Sequence, residues 1–238
     1  MSKGRIIGTS NYEIARLASP SLSLRILKRH LALHETLVPR IAERVASSFG
    51  GATGIEFVSL VGSSTSFRSY HDLDIKVGLK IVNGILNFPV IEEFPVVISD
   101  EDGAEKEKTA DVYFYDSSNI DDYRYFRFFY RTPTLIGEIP SLYSDKRATM
   151  IGHFVGKAIE KYVEEKDVRH DPRKAMHRLF AACRQFYNLC EVKEQPLPLD
   201  FVATIKKLYS MDDNDAYDIR ILDEIASKTV TRWIAGLS

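Results

Sequence analysis

Between Ser21 and Phe49, apolar residues fall at Leu24, Leu27, Leu31, Leu37, Ile41 and Val45, three to six residues apart with charges between them. That spacing predicts an amphipathic helix. Pro39 lacks an amide hydrogen and predicts a kink or a division in it. Gly50, Gly51 and Gly54 end the pattern, and the short β-branched run Ile55 to Val61, closed by Gly62, predicts a buried strand. From Leu73 to Leu79 apolar positions alternate with Asp74, Lys76 and Gly78, the period-two signature of a strand with one buried face. Val82-Asn83-Gly84 reads as a turn. A strand at Pro95 to Ser99, a charged connection from Asp100 to Lys108 and a β-rich run at Thr109 to Tyr115 predict an antiparallel pair with a mobile tip.

Beyond Pro140 the pattern becomes helical. Lys146 to Glu165, Pro172 to Cys190, Asp200 to Tyr209 and Asp215 to Trp233 all show helical spacing, with Asp171-Pro172 as an N-cap and first-turn pair and Pro196 and Pro198 separating two helices. The expected fold is α/β (α+β): a small mixed or antiparallel sheet with flanking helices in residues 1–140, which include the N-terminal helix, and an α-helical domain in 141–238. The pattern leaves open which part the N-terminal helix packs on.

Composition narrows the function classes. The 238 residues are 45% hydrophobic and 27% charged, enough to bury a core and too apolar for long disorder. A formal charge of −1 argues against bulk attraction to polyanions and leaves room for a local basic groove. No apolar run reaches the roughly 20 residues of a membrane span, and Met1 to Tyr12 lacks the apolar core of a secretory signal, so a cytoplasmic location without membrane partners is expected. Cys183 and Cys190 lie about two helical turns apart, too far for a disulfide, and read as buried thiols. From Asp100 to Asp122 nine acidic residues face two basic ones, predicting a solvated or cation-attracting edge.

The candidate chemistry lies where one strand ends in Gly62-Ser63-Ser64 and the next opens with Asp72-Leu73-Asp74-Ile75. Glycine lets the backbone approach a phosphate closely, and a serine hydroxyl with adjacent amides donates to triphosphate oxygens. Residues i and i+2 of a strand share a face. Asp72 and Asp74 at that spacing suit a hard divalent cation such as Mg²⁺, together with water and nucleotide phosphates. Asp111, on a later strand that can lie alongside, would complete a two-metal clamp for in-line displacement.

The segment Ile55 to Asp116 resembles the nucleotidyltransferase fold of the DNA polymerase β superfamily, whose signature is an apolar residue, Gly, Gly or Ser, a variable stretch, then Asp, apolar, Asp or Glu, apolar. Val61-Gly62-Ser63 and Asp72-Leu73-Asp74-Ile75 match it. The resemblance implies a transferase that moves a nucleoside monophosphate from an NTP, with ATP favoured, to an acceptor hydroxyl on a small molecule, an RNA 3′ end or a protein, releasing pyrophosphate. It implies Mg²⁺ (or Mn²⁺) on Asp72, Asp74 and Asp111, and nucleotide contacts from Gly62, Ser63 and Ser64. This chain departs from the pattern in having eight residues between Ser63 and Asp72, Thr65-Ser66-Phe67 where Ala-Arg-Gly is common, and His71 before the first Asp. Arg68 is the candidate to take over phosphate contact.

Other segments read in two ways. Tyr123 to Arg131 interleaves six aromatics with three arginines, either as a core-facing amphipathic segment, the favoured reading, or as a stacking surface for nucleic acid. Arg173, Lys174, Arg178 and Arg184, with His177, form either a solvated helix face or a triphosphate-facing one, with Lys174 and Arg178 as candidate nucleotide contacts. His30 and His34 read as a surface pair rather than a zinc site, and Gly152 to Lys157 lies inside a helical pattern rather than forming a phosphate loop. A noncatalytic nucleotide-binding or toxin–antitoxin partner protein of the same fold, and a nucleic-acid-binding module, stand as alternatives to the enzyme.

Overall fold

The computed structural model describes residues 4–49, 52–67, 72–81, 90–99 and 105–237, with the backbone alone at 64, 72, 98, 99, 105 and 106. The Val82-Asn83-Gly84 turn, the tip beyond Ser99, Arg68 and His71 lie outside these residues. The chain divides into two units, Met1–Arg16 with Pro20–Leu142, and Leu17–Ser19 with Tyr143–Ser238.

The first unit opens with helix α1 (Ser10–Ala18), apart from its last two residues, and helix α2 (Pro20–Ser48). Strands β1 (Ala52–Val61), β2 (Asp72–Ile81), β3 (Val90–Ser99) and β4 (Glu105–Asp116) follow, then the three-residue α3 (Asp122–Arg124), which runs into a π-type turn at Tyr125–Phe129, and β5 (Thr134–Gly137). They form a five-stranded mixed sheet of order β3-β4-β2-β1-β5, in which only the β2–β4 pairing is parallel.

Strand alternation splits the sheet into two faces, both covered. Leu73, Ile75, Val77 and Leu79 of β2 join Val58, Leu60, Val112 and Phe114 in a core closed by Leu33, Leu37, Ile41 and Val45 of α2, spaced one helical turn apart. On the other face Phe57 lies over Gly78, where a side chain would collide with its ring, and packs with Tyr115 and Phe129. Strand β2 is therefore buried on both sides from Ile75 to Leu79, not on one. The second layer comes from the aromatic segment: Phe126 and Phe129 are buried, and Tyr125 and Phe128 pack around the second cluster. Burial in the core accounts for these rings, and only Tyr123 of the segment's aromatics is well exposed.

Three expectations for the N-terminal half change. Helix α2 runs undivided through Pro39, because the chain is held by its apolar stripe on the sheet rather than by one lost hydrogen bond. That stripe runs through Ile26, His30, Leu33, Leu37 and Ile41, whereas Leu24 and Leu31 are exposed. His30 consequently is not a surface residue. It is buried with Thr134 as backbone partner, and burial pushes its imidazole down to about 4. Finally, β3 starts at Val90, and the charged residues from Glu105 belong to β4 rather than to a connection.

The second unit is helical: α4 (Arg147–Val163) with a π-type turn at Glu164–Val168, α5 (Pro172–Val192), α6 (Phe201–Asp213), and α7 (Ile219–Glu224) continuing through Ile225–Val230 into α8 (Thr231–Ala235). Asp171 caps α5 by accepting a hydrogen bond from the Lys174 amide at 2.9 Å, with Pro172 in the first turn. Phe186, Phe201 and Trp233 form an aromatic cluster, and the indole N–H of Trp233 donates to Asp200 at 2.9 Å. Cys183 and Cys190 are free, buried thiols, both pushed up by burial. Among the described residues no helix is long and apolar enough to cross a membrane.

Candidate functional site

Parallel pairing of β2 with β4 sets Asp74 beside Asp111 in register, one strand spacing apart (about 4.8 Å) and on the same sheet face. On the other side Asp74 is the register partner of Val61, the last residue of β1, so Gly62 emerges directly against it. Gly62 has φ 79° and ψ −164°, a conformation open essentially to glycine. A Cβ there would overlap the Asp74 carboxylate, so the absent side chain is what lets the turn close over it. Asp72 opens β2 in register with Thr109.

The turn after Gly62 is a single 3-10 turn, Ser63–Thr65, rather than the start of a longer helix. It is anchored from below. The Thr65 hydroxyl donates to the Gly62 carbonyl at 2.7 Å and accepts from the Asn11 side chain of α1, while Arg29 of α2 donates to the Phe67 carbonyl at 2.7 Å. Thr65, Ser66 and Phe67 are all buried. Thr65 and Phe67 therefore fasten the loop to α1 and α2, and Ser63 remains half-buried beside Gly62. Asn11 and Arg29 carried no sequence signal, since a single Asn or Arg on a helix has no readable partner.

Lys76 is the other residue that sequence reading passed over. It follows Asp74 by two on the same face, between Ser59 of β1 and Tyr113 of β4, and is 5% exposed. Its ammonium lies 3.0 Å from the centre of the Tyr113 ring, with Phe128 at 5.3 Å and Tyr115 at 5.8 Å. Burial pushes the amine down to about 8. The negative charges of Asp74 and Asp111 act against that shift, and Arg127 adds to it. The alternation of Leu73 to Leu79 marks Lys76 as polar; only the aromatic cover on the same face reveals it as buried.

Oxygen donors on adjacent strands, beside a turn that closes only over glycine, suit a hard cation. Asp74 and Asp111 supply that half-site, and both act electrostatically on Lys76. Among the described residues no group of three or more His, Cys, Asp or Glu is gathered closely enough to hold a metal; Glu93 of β3 is the register partner of Asp111 on its other side. Lys174 and Arg178 lie on α5 of the second unit, where Lys174 is 3.7 Å from Asp171 and Arg178 is 3.2 Å from the buried Glu165. In the same helix His177 sits 3.7 Å from the buried Asp212.

No protein-family profile, no curated protein and no solved structure matches the chain.

Proposed function

We propose that this chain is a metal-dependent nucleotidyltransferase of DNA polymerase β type, moving a nucleoside monophosphate from an NTP to an acceptor hydroxyl with release of pyrophosphate. The observation that carries the reading is the register pairing of Asp74 with Asp111 directly against the Gly62 turn. A divalent cation bound by these carboxylates, Mg²⁺ or Mn²⁺, supplies charge neutralisation on the triphosphate and lowers the pKa of the acceptor hydroxyl.

The chain's own residues do the positioning. Asp74 and Asp111 hold negative charge at a fixed spacing set by two paired strands, with Asp72 as a third carboxylate two residues before Asp74. Gly62 lets the backbone approach phosphate without a side chain intervening, and the Ser63 hydroxyl with the amides of Ser63 and Ser64 donates to phosphate oxygens. Asp111, on the strand next to the Gly62–Asp74 contact, is the carboxylate to accept the acceptor's proton. Positioning and charge stabilisation are most of what phosphoryl transfer requires, so no side-chain nucleophile is needed.

The test is incubation with Mg²⁺ or Mn²⁺ and each labelled NTP, with and without total RNA, measuring pyrophosphate and labelled product. D74N and D111N should each abolish release while keeping the fold. Full activity in both variants removes the assignment; NTP binding without release by the wild type turns the reading to a noncatalytic nucleotide-binding protein.

A further inference from the structure

Lys76 has no role in the mechanism above, yet it places a positive charge where a cation site least wants one. Burying an ammonium is costly unless it is paired, and this one is enclosed by Tyr113, Phe128 and Tyr115 on the face that carries Asp74 and Asp111. The two carboxylates, one strand spacing apart, repel each other, and among the described residues these two supply the negative charge that favours the Lys76 ammonium. Arg127, whose guanidinium lies 4.8 Å from the Phe128 ring, opposes it.

We propose that Lys76 is the built-in counter-charge of the acidic pair: it holds Asp74 and Asp111 together without a divalent ion and limits how tightly the pair binds one. The inference rests on the reading of these carboxylates as a cation site. Lys76 follows Asp74 by two residues on the same face, so the i to i+2 repeat of a strand, about 7 Å, sets the scale of the charge separation. At that distance a +1 charge acting on a +2 charge, even at the dielectric of water, changes affinity by about tenfold, and by more in a partly buried setting. Lys76 is thus a positioning residue with an electrostatic cost to cation binding, which keeps the site reversible rather than permanently loaded.

The experiment measures the Mn²⁺ dissociation constant at pH 7 by electron paramagnetic resonance for wild type, K76M, K76Q, K76R and D74N, with a circular dichroism melt of each in chelator. K76M keeps the aliphatic stem and removes the charge; K76Q serves if K76M does not fold. K76M or K76Q should bind Mn²⁺ about tenfold more tightly and melt lower in chelator, while K76R, which keeps charge and ring contact, should bind like wild type. A role in packing alone would leave the Mn²⁺ affinity of K76M and K76Q unchanged, and that result overturns the proposal while D74N still weakens binding. Absence of Mn²⁺ binding in wild type and all variants overturns the cation-site reading and this inference with it.

Discussion

Replacing Gly62 by alanine imposes two separate penalties. At φ 79° and ψ −164° an L-residue carries strain of about 1–3 kcal/mol, and the added methyl overlaps a carboxylate oxygen of Asp74 and reaches 3.4 Å from its Cγ. The side chain of Asp74 has to rotate away from the turn, and with it the register pair that Asp111 completes. For a chain of this size 1 kcal/mol corresponds to about 2–4 °C in Tm, so a fall of about 2–12 °C is expected. Loss of Mn²⁺ affinity should accompany it. Gly54 supplies the control: it lies in β1, the strand that leads into Gly62, a Cβ added there would meet nothing within 4 Å, and its φ is not positive. G54A should match wild type or melt slightly higher. Thermal melts and Mn²⁺ titrations of the two variants settle the matter. G62A that melts with wild type and keeps its Mn²⁺ affinity would refute the close-approach argument.

Other consequences are equally direct. Gly152 and Gly156 sit inside α4 with open space where a Cβ would go, so G152A and G156A should each raise stability by about 0.5–1 kcal/mol in denaturant melts. His30 is held neutral by burial: its folded pKa of about 4 lies below the unfolded 6.5. Above 6.5 neither state is charged. As pH falls from 6.5 to about 4 the unfolded chain takes up the proton first, and at about 1.4 kcal/mol per pH unit the loss reaches about 3 kcal/mol. Denaturant melts across this range should show that loss in wild type and a shallower one in H30Q. D200A removes the acceptor of the buried Trp233 N–H together with the Arg232 ion pair; a cost of about 1–3 kcal/mol is expected, readable by the same melts and by a shift in tryptophan fluorescence.

Periodicity made much of this architecture legible. The long helix, the strand ending at Gly62, the strands at Leu73 to Leu79 and Thr109 to Tyr115, and the helical second half all announce themselves by spacing. What periodicity could not supply was the order in which strands pair. Nothing in Asp72-Leu73-Asp74 or Thr109-Ala-Asp111 says that their strands lie side by side, parallel and in register; that follows from the packing of β3 as an edge strand antiparallel to β4. His30 and Lys76 were misjudged or passed over for a shared reason. Each is polar by type and buried by position, and the cost of burying it is met by neighbours distant in sequence, Thr134 for one and Tyr113 for the other. Pro39 does not divide its helix, because tertiary packing along Leu33, Leu37 and Ile41 outweighs one absent backbone hydrogen bond.

The central claim is that Asp74 and Asp111 jointly hold a divalent cation beside the Gly62 turn. Anomalous diffraction from crystals grown with Mn²⁺ and a non-hydrolysable NTP analogue tests it most directly. The expected result is a manganese peak within coordination distance of an oxygen of each carboxylate, with the triphosphate against Gly62 and Ser63. A well-ordered structure with no peak between these carboxylates, or with the nucleotide bound elsewhere, would contradict it.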